Sequence, residues 1–251
     1  MSTSLVDDAR AMLAKARSIA VLTGAGISAE SGVPTFRGAG GLWKDFRAKE
    51  LATPQAFARD PRLVWEWYGW RRETIAGCAP NAAHRALAAA AVARDDISII
   101  TQNVDGLHAA AAAVHERAMP IELHGSIYRV RCTRCEHRAE DRGMVDATSR
   151  ESLPACPSCG ALMRPDIVWF GESLDPDVLD RGESAAMDAD VCLVVGTSGV
   201  VHPAAGLAAM TKRAGGRVIE VNPDVTPITA IADVTIRGGA ASIIPGILGA
   251  S

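Results

Sequence analysis

Two cysteine pairs at a fixed spacing restrict the fold of this chain more than any other feature. Cys132 and Cys135 form CTRC, Cys156 and Cys159 form CPSC, and residues 136–155 separate the pairs. Two CxxC turns at this separation bring four thiolates around one tetrahedral zinc ion, with each sulfur ~2.3 Å from the metal. Because four thiolates leave no open coordination position, we expect a structural zinc ion. Four unrelated buried cysteines are the weaker alternative.

Composition indicates an ordinary globular protein. A chain of 251 residues suits one large domain, or a large domain that contains a small inserted one. The net charge of −3 provides no general attraction to nucleic acid. No apolar run reaches the ~18 residues that a membrane span needs, and the N-terminus lacks the basic start of a signal peptide. We therefore expect a cytoplasmic protein that binds neither nucleic acid nor membrane; its oligomeric state stays open, a monomer included.

Short Val/Ile-rich runs alternate with Ala/Leu-rich helical segments, a pattern typical of parallel strands in an α/β fold. The six runs are SIAVLTG, DISIITQN, PIELHGS, DADVCLVVGTS, GRVIEVN and ADVTIRG. They predict a Rossmann-like, doubly wound parallel sheet formed by residues 1–36, 81–124 and 169–251. Two segments interrupt the pattern and predict a small inserted domain, with a helical part over 37–80 and a zinc-ribbon part over 125–168.

The first predicted strand ends in a glycine-rich turn. Gly24, Gly26 and Ala29 fit the pattern G-x-G-x-x-A that binds dinucleotides in many α/β proteins. Tight turns between strand and helix use the same residues, so the signal is weak alone. The acidic residue that dehydrogenases place ~20 residues later is missing. The sequence PTFRG follows instead, and it indicates a loop that closes over a ligand.

Polar residues also follow the other predicted strands. Gln102, Asn103 and Asp105 suit recognition of a ribose and a carboxamide, although an Asx turn or a helix cap would explain them equally well. His124, at a strand end, has the best position of the six histidines for a general base. A single histidine is more often structural than catalytic, so this assignment needs support from neighbouring groups.

Taken together, the motifs resemble those of one family. GAGISAESGVPTFRG, TQNVDGLH, IELHGS, the two CxxC pairs, PDIVWFGE, VVGTS and EVN occur in the order found in sirtuins, over nearly the whole chain from about Ala20. The resemblance implies NAD as cofactor and acyl-lysine proteins as substrates. It also implies a cleft between the two domains and release of nicotinamide and O-acyl-ADP-ribose.

The resemblance assigns roles to particular residues. His124 would be the general base, the four cysteines would bind zinc, and Phe36 would shield the ribosyl carbon. Val168, Phe170 and Gly171 belong to a segment that would pair with the substrate peptide as an added strand. The implied NAD-binding residues are Gly24, Ala25, Gly26, Thr35, Phe36, Arg37, Gln102, Asn103, Asp105, Gly196, Thr197, Ser198, Asn222 and Ala240.

The aromatic segment VWEWYGWRRE predicts which acyl groups are accepted. On a helix, Val64, Tyr68 and Arg71 share one face. Tyr-x-x-Arg at this place is characteristic of class III sirtuins, in which Arg71 would grip the carboxylate of a malonyl or succinyl group and Tyr68 would donate a further hydrogen bond. Ala52 would leave room for a longer acyl chain. We expect deacetylation as well, since bacterial-type enzymes with this pair remove acetyl. The alternative is an exposed Arg71 beside a Tyr68 that only packs.

Three other functions remain open at this point. A mono-ADP-ribosyltransferase would use the same cleavage of NAD. A non-catalytic NAD-binding module would bind the cofactor without turnover. A zinc-ribbon nucleic-acid binder is disfavoured because the net charge is negative and no basic aromatic stripe is present.

Overall fold

A six-stranded parallel sheet forms the centre of the protein, and it confirms the predicted α/β class. The structure is a computed structural model that describes residues 3–35, 42–43, 46–113 and 115–249. The strand order is β11-β10-β9-β1-β4-β5, and every neighbouring pair is parallel. The strands are β1 Ile19–Thr23, β4 Ile97–Thr101, β5 Ile121–Glu122, β9 Val191–Val195, β10 Arg217–Val221 and β11 Val234–Ile236. All six predicted runs therefore form strands of this sheet.

Helices cover both faces of the sheet, as a doubly wound arrangement requires. One face packs on α1 Thr3–Lys15, α6 Ala82–Ala93, α7 Leu107–Ala112 and α10 Ala240–Leu248. The opposite face packs on α8 Pro176–Met187 and α9 Leu207–Arg213. The central strands β1 and β9 are buried along their whole length, which explains their continuous apolar sequences. No helix within the described ranges is long and apolar enough to cross a bilayer.

The two segments that interrupt the strand pattern share a third hydrophobic cluster. One segment forms the hairpin β2 Leu42–Trp43 and β3 Phe46–Arg47, followed by the helices α3 Ala48–Leu51, α4 Pro54–Arg59 and α5 Pro61–Ala76. The other forms an antiparallel sheet of β6 Gly125–Cys132, β7 Arg138–Glu140 and β8 Met163–Ile167, in the order β7-β6-β8. The hairpin is an addition to the predicted helical segment, because strands of two residues leave no periodic signal.

Helix α5 contains the aromatic segment and has well-defined ends. Asp60 caps its N-terminus by accepting a hydrogen bond from the backbone N–H of Leu63 at 3.1 Å, and Pro61 occupies the first turn. The chain leaves the helix at Gly77. The buried face includes Tyr68, which is 0% exposed. The helix therefore presents its aromatic residues to the third cluster rather than to solvent.

The four predicted metal ligands come together at one end of the antiparallel sheet. The sulfurs of Cys132, Cys135, Cys156 and Cys159 all lie within 4.8 Å of one another, and two sulfur pairs are 3.4 and 3.6 Å apart. Tetrahedral zinc with bonds of ~2.3 Å places its sulfurs about 3.8 Å apart. The Cys132 sulfur also accepts N–H groups from Arg134 and Cys135 at 3.3 and 3.4 Å. Four thiolates in this arrangement fit a structural zinc ion, as predicted.

A buried polar network lies beneath the carboxyl end of β1. His84 and His108 are 0% and 3% exposed, and their rings pack edge to face at 4.8 Å. The Nε2 of His108 lies 3.0 Å from the Thr23 hydroxyl, and the Nε2 of His84 lies 3.3 Å from that of Ser28. Burial is the main cause that lowers the pKa of His84 to about 4 and that of His108 to about 3. Both rings are therefore neutral in the folded protein at neutral pH.

We expect zinc to be required for the antiparallel sheet. Cys156→Ala should abolish stoichiometric zinc in the purified protein and lower its thermal unfolding temperature, because structural zinc contributes about 10 kcal/mol to the stability of small zinc modules. Metal analysis and thermal unfolding measure both effects. Cys78→Ala is the matched control, since that cysteine lies outside the cluster and its loss should leave zinc bound. A Cys156→Ala protein with full zinc content would refute the assignment.

The buried histidines predict a loss of stability in acid. Unfolded histidines take up protons as the pH falls through about 6.5, whereas His84 and His108 resist protonation until about 4 and 3. The unfolded state then binds more protons, so each histidine costs about 2 kcal/mol of stability between pH 7 and pH 5. Urea unfolding at both pH values tests this with His108→Gln, which cannot titrate. The variant should lose less stability than the wild type, and an equal loss would contradict the prediction.

Candidate active site

The carboxyl edge of the parallel sheet gathers the polar motifs in one place. Strands β1, β4, β9 and β10 end at Thr23, Thr101, Val195 and Val221. Because these strands are parallel and adjacent, the residues that follow each strand meet above the same edge. The glycine loop, the TQNVD segment, the GTS segment and Asn222 are therefore neighbours in space.

The glycine loop after β1 rests directly on the loop after β9. The N–H groups of Gly24 and Gly26 donate to the carbonyls of Val195 and Gly196 at 3.0 and 2.8 Å. A Cβ atom at Gly24 would lie 2.8 Å from Thr197, and one at Gly26 would lie 2.7 Å from Gly196. These two glycines thus permit contact between two backbones, and their own N–H groups are engaged within the protein. The sequence pattern alone suggested dinucleotide binding as their purpose.

Thr197 connects three of the predicted nucleotide-binding segments. Its hydroxyl accepts a hydrogen bond from the Gln102 side-chain amide at 2.9 Å. Its carbonyl accepts one from the Asn222 side-chain amide at 2.6 Å. Thr197 and Asn222 are buried, whereas Gln102 and Ser198 are half-buried. The structure therefore fixes these polar groups in position at the edge of the sheet.

Asn103 and Asp105 lie deeper beneath the same edge, at 7% and 5% exposed. The Asn103 amide donates to the Ser28 hydroxyl at 3.1 Å, and Asp105 accepts the backbone N–H of Leu107 at 2.9 Å. The bond to Leu107 spans two residues and is the Asx-turn contact that the sequence also allowed. Ser28 was not selected from the sequence, although its place within GAGIS and its hydroxyl are the signals that could have identified it.

Of the remaining residues expected to bind the nucleotide, three belong to the described part of the chain: Ala25, Thr35 and Ala240. Ala25 is half-buried and precedes the short helix α2, Gly26–Ala29. Thr35 is half-buried at the end of its described segment. Ala240 begins α10, and the next N–H, that of Ala241, donates to the Glu30 carboxylate at 2.7 Å. Phe36 and Arg37 fall outside the described residues.

His124 is held with one ring nitrogen facing a fixed acceptor. Its Nδ1 lies 2.9 Å from the carbonyl oxygen of Gln102. A carbonyl can only accept, so Nδ1 carries the proton and Nε2 retains its lone pair. Burial lowers the pKa of His124, and the bond to the Gln102 carbonyl opposes this effect in part. The ring is therefore a neutral imidazole with a basic nitrogen available.

The segment after β8 joins His124 to the predicted acyl pocket through backbone hydrogen bonds. The N–H of Val168 donates to the His124 carbonyl at 3.0 Å, and the N–H of Phe170 donates to the Ala52 carbonyl at 2.9 Å. The Phe170 side chain is 52% exposed, whereas Ala52 is 9% exposed. Gly171 adopts a φ of +88°, a conformation that favours glycine. This segment has no strand partner in the described part of the chain, so strand pairing with a peptide stays a prediction.

Tyr68 and Arg71 lie side by side in the interior. The Arg71 guanidinium carbon lies 5.8 Å from the Tyr68 ring centroid and 5.2 Å from that of Trp67. Burial lowers the pKa of Arg71, while Tyr68 and the charge of Asp105 act to raise it. Arg71 is half-buried, so its charge is partly withdrawn from bulk water. This position differs from the exposed arginine of the alternative interpretation.

Two further residues were missed from the sequence. The Trp169 indole N–H donates to the Tyr68 hydroxyl at 2.8 Å, and the Glu172 carboxylate accepts the Trp169 backbone N–H at 2.9 Å. Both residues lie within PDIVWFGE, which was interpreted only as a peptide-binding strand. The Trp169 side chain contacts a residue 101 positions away, and no local pattern reports such a contact.

Comparison with known proteins agrees with this arrangement. Residues 24–203 match the Sir2 family. A protein from Thermococcus kodakarensis named NAD-dependent protein deacylase is 52% identical, over 97% of this chain and 95% of its own length. A Sir2 homologue solved in complex with NAD has a TM-score of 0.88 and 46% identity, over 97% of this chain and 92% of that one.

A more distant structure contains a peptide. Sir2 with a p53 peptide and NAD+ has a TM-score of 0.84 and 30% identity, and the match covers 99% of this chain and 98% of that one. The family match spans well over half of the chain, and the relatives are matched over almost their full length. The chain belongs to the Sir2 family, the sirtuins.

Proposed function

We propose that this sirtuin is an NAD-dependent protein deacylase that removes succinyl and malonyl groups from lysine, and acetyl groups as well. Deacylase activity with NAD follows from membership of the family and from relatives of that name. The preference for acidic acyl groups rests on one observation, the half-buried guanidinium of Arg71 beside the buried hydroxyl of Tyr68. Acylated lysine in protein segments is the proposed substrate, as the peptide complex of a relative suggests.

The carboxyl edge of the sheet has the features that a dinucleotide needs. Two loops contact each other there at glycines, where a side chain would not fit. Gln102, Thr197 and Asn222 supply fixed polar groups. Bound NAD supplies a glycosidic bond whose cleavage releases nicotinamide and leaves the ribosyl carbon open to the acyl oxygen. Asn103 and Asp105 support the ribose and carboxamide end of this site. Thr35, Phe36 and Arg37 belong to the loop proposed to close over it.

His124 is the proposed general base. Its Nδ1 proton is committed to the Gln102 carbonyl, so the free Nε2 accepts a proton from a hydroxyl group presented in the cleft. The lowered pKa of His124 keeps this nitrogen unprotonated at neutral pH. The backbone contact between His124 and Val168 places the base next to the segment that would pair with the peptide.

Arg71 and Tyr68 explain why a negative acyl group is favoured. A guanidinium removed from water gains free energy from a bidentate contact with a carboxylate, and a phenol adds a hydrogen bond of its own. Ala52, fixed to Phe170, leaves room beside the acyl chain because its side chain is only a methyl group. An acetyl group reaches neither polar group, so its removal depends on the apolar part of the pocket.

We also propose that the chain divides into the two units expected from its sequence. Residues 1–36, 81–124 and 169–251 form the NAD-binding unit, and residues 37–80 and 125–168 form the small one. The division is supported by the third hydrophobic cluster, which draws mainly on the two smaller segments. Val168, Phe170 and Gly171 then lie where the units meet and bind the peptide backbone.

Arg71→Met tests the preference for acidic acyl groups. The variant leaves the acyl carboxylate without its charged partner, so kcat/KM for a succinyl-lysine peptide should fall about 100-fold or more. Deacetylation should change by less than about threefold, because the neutral group does not use the charge. Arg71→Lys should lie between wild type and Met, since it keeps the charge and loses the bidentate geometry.

The outcomes of this test separate the competing functions. Equal losses toward succinyl and acetyl peptides would overturn the acidic preference and leave deacylation intact. Transfer of ADP-ribose to protein without an acyl group would indicate a mono-ADP-ribosyltransferase. A wild-type enzyme that binds NAD and turns over neither peptide would indicate a binding module.

His124→Ala tests the general base. Turnover of both acyl peptides should fall by a factor of about 10²–10⁴, while NAD still binds. The wild-type rate should fall only as the pH drops below about 6.5, because the pKa of His124 is lowered and the neutral ring is the active form. The control is His115→Ala, which removes an exposed histidine. Full turnover by His124→Ala would reassign the base.

A further inference from the structure

Trp169 connects the proposed peptide-binding segment to the acyl pocket. Its side chain is 2% exposed, and its indole N–H donates to the Tyr68 hydroxyl at 2.8 Å. The role suggested by the sequence for this segment concerns its backbone and gives the indole no function. The indole has a single hydrogen-bonding group, and it donates that group to a phenol proposed to bind substrate. This contact suggests a role for the side chain of Trp169.

Neighbouring groups hold the indole in one orientation. The Arg164 guanidinium carbon lies 3.3 Å from the Trp169 ring centroid, and the Phe57 ring packs at 5.4 Å. Arg164 also donates to both oxygens of Glu172 at 2.6 and 2.9 Å. Glu172 in turn accepts the backbone N–H of Trp169 at 2.9 Å. Ring and backbone are thus fixed together, so the indole N–H has little freedom to leave Tyr68.

This contact determines where the Tyr68 proton can point. An indole N–H only donates, and so does the Arg71 guanidinium, whose central carbon lies 5.8 Å from the Tyr68 ring centroid. Neither group can accept the phenol proton. Burial raises the pKa of Tyr68, so the proton stays on the oxygen at neutral pH. The hydroxyl can therefore donate its proton only to an acceptor other than Trp169 or Arg71.

We propose that Trp169 is a positioning residue that determines acyl specificity. The indole N–H donates to a lone pair of the Tyr68 oxygen. This contact directs the phenol proton toward the terminal carboxylate of a succinyl or malonyl group. The acetyl methyl group offers no acceptor there, so deacetylation does not depend on the indole N–H. This inference rests on the proposed function, because it requires an acidic acyl group beside Tyr68 and Arg71.

Trp169→Phe is the first test, since it keeps an aromatic ring and removes the N–H. The kcat/KM for a succinyl-lysine peptide should fall about 5- to 20-fold, mainly through a higher KM, as expected for loss of one buried hydrogen bond. The value for the matching acetyl-lysine peptide should stay within about threefold, because no acetyl atom accepts the phenol proton. Trp65→Phe is the matched control, because that buried indole donates to the Met163 carbonyl at 3.1 Å and not to Tyr68. It should leave the ratio of the two activities unchanged.

A double variant shows whether Trp169 acts through Tyr68. Tyr68→Phe removes the hydroxyl, so adding Trp169→Phe should cause no further loss of desuccinylation. Replacement of Trp169 by benzothienylalanine exchanges the N–H for sulfur at nearly constant shape. It replaces the Phe variant if that protein fails to fold, and it should shift the ratio in the same direction.

Distinct results overturn the inference and the proposed function. Equal losses toward both peptides in Trp169→Phe or the benzothienyl protein, no loss at all, or losses that add to those of Tyr68→Phe would overturn the role of Trp169. In each of these cases Arg71→Met would still lose desuccinylation selectively. An Arg71→Met enzyme that loses both activities equally would instead overturn the acidic preference itself.

Discussion

Direct backbone contact between two loops sets the geometry of the nucleotide edge. Gly24 donates to the last residue of β9 and Gly26 to the loop that follows it. Cβ atoms at Gly24, Gly26 or Gly196 would approach neighbouring backbone atoms to 2.8, 2.7 and 2.5 Å. Such distances require the loops to separate. Thr197 follows at once and bridges Gln102 and Asn222. The positions of three polar groups therefore depend on the absence of three side chains.

A series of contacts connects the proposed acyl pocket to the cysteine cluster. Arg164 lies on β8, one residue after Met163, and Met163 pairs with Cys132 on β6. From there Arg164 and Glu172 fix Trp169, and Trp169 contacts Tyr68. A metal ion bound by four thiolates has no open position for chemistry. Its contribution to the proposed acyl pocket would be mechanical, because Arg164 on the sheet that the metal stabilises packs on Trp169.

The sequence predicted what depends on local patterns and missed what depends on pairing between distant segments. Six apolar runs became six strands, and two CxxC turns became one sulfur cluster, because each signal lies within a few residues or at a familiar spacing. The bond from Trp169 to Tyr68 joins residues 101 positions apart. Its existence depends on how the segment after β8 packs on α5, which no periodicity encodes. The glycine turn follows β1, where the sequence predicts it, but the loop at Gly196 that requires these glycines follows only from strand order.

Electrostatic attraction between Arg71 and Asp105 connects the two halves of the proposed site. Burial lowers the pKa of Arg71 and raises that of Asp105, so desolvation disfavours the charged form of each. Each charge partly offsets this effect on the other. Arg71 belongs to the helix that would recognise the acyl group, and Asp105 belongs to the motif that would hold the nicotinamide ribose. The attraction between these two charges therefore links the helix of the proposed acyl site to the motif of the proposed ribose site.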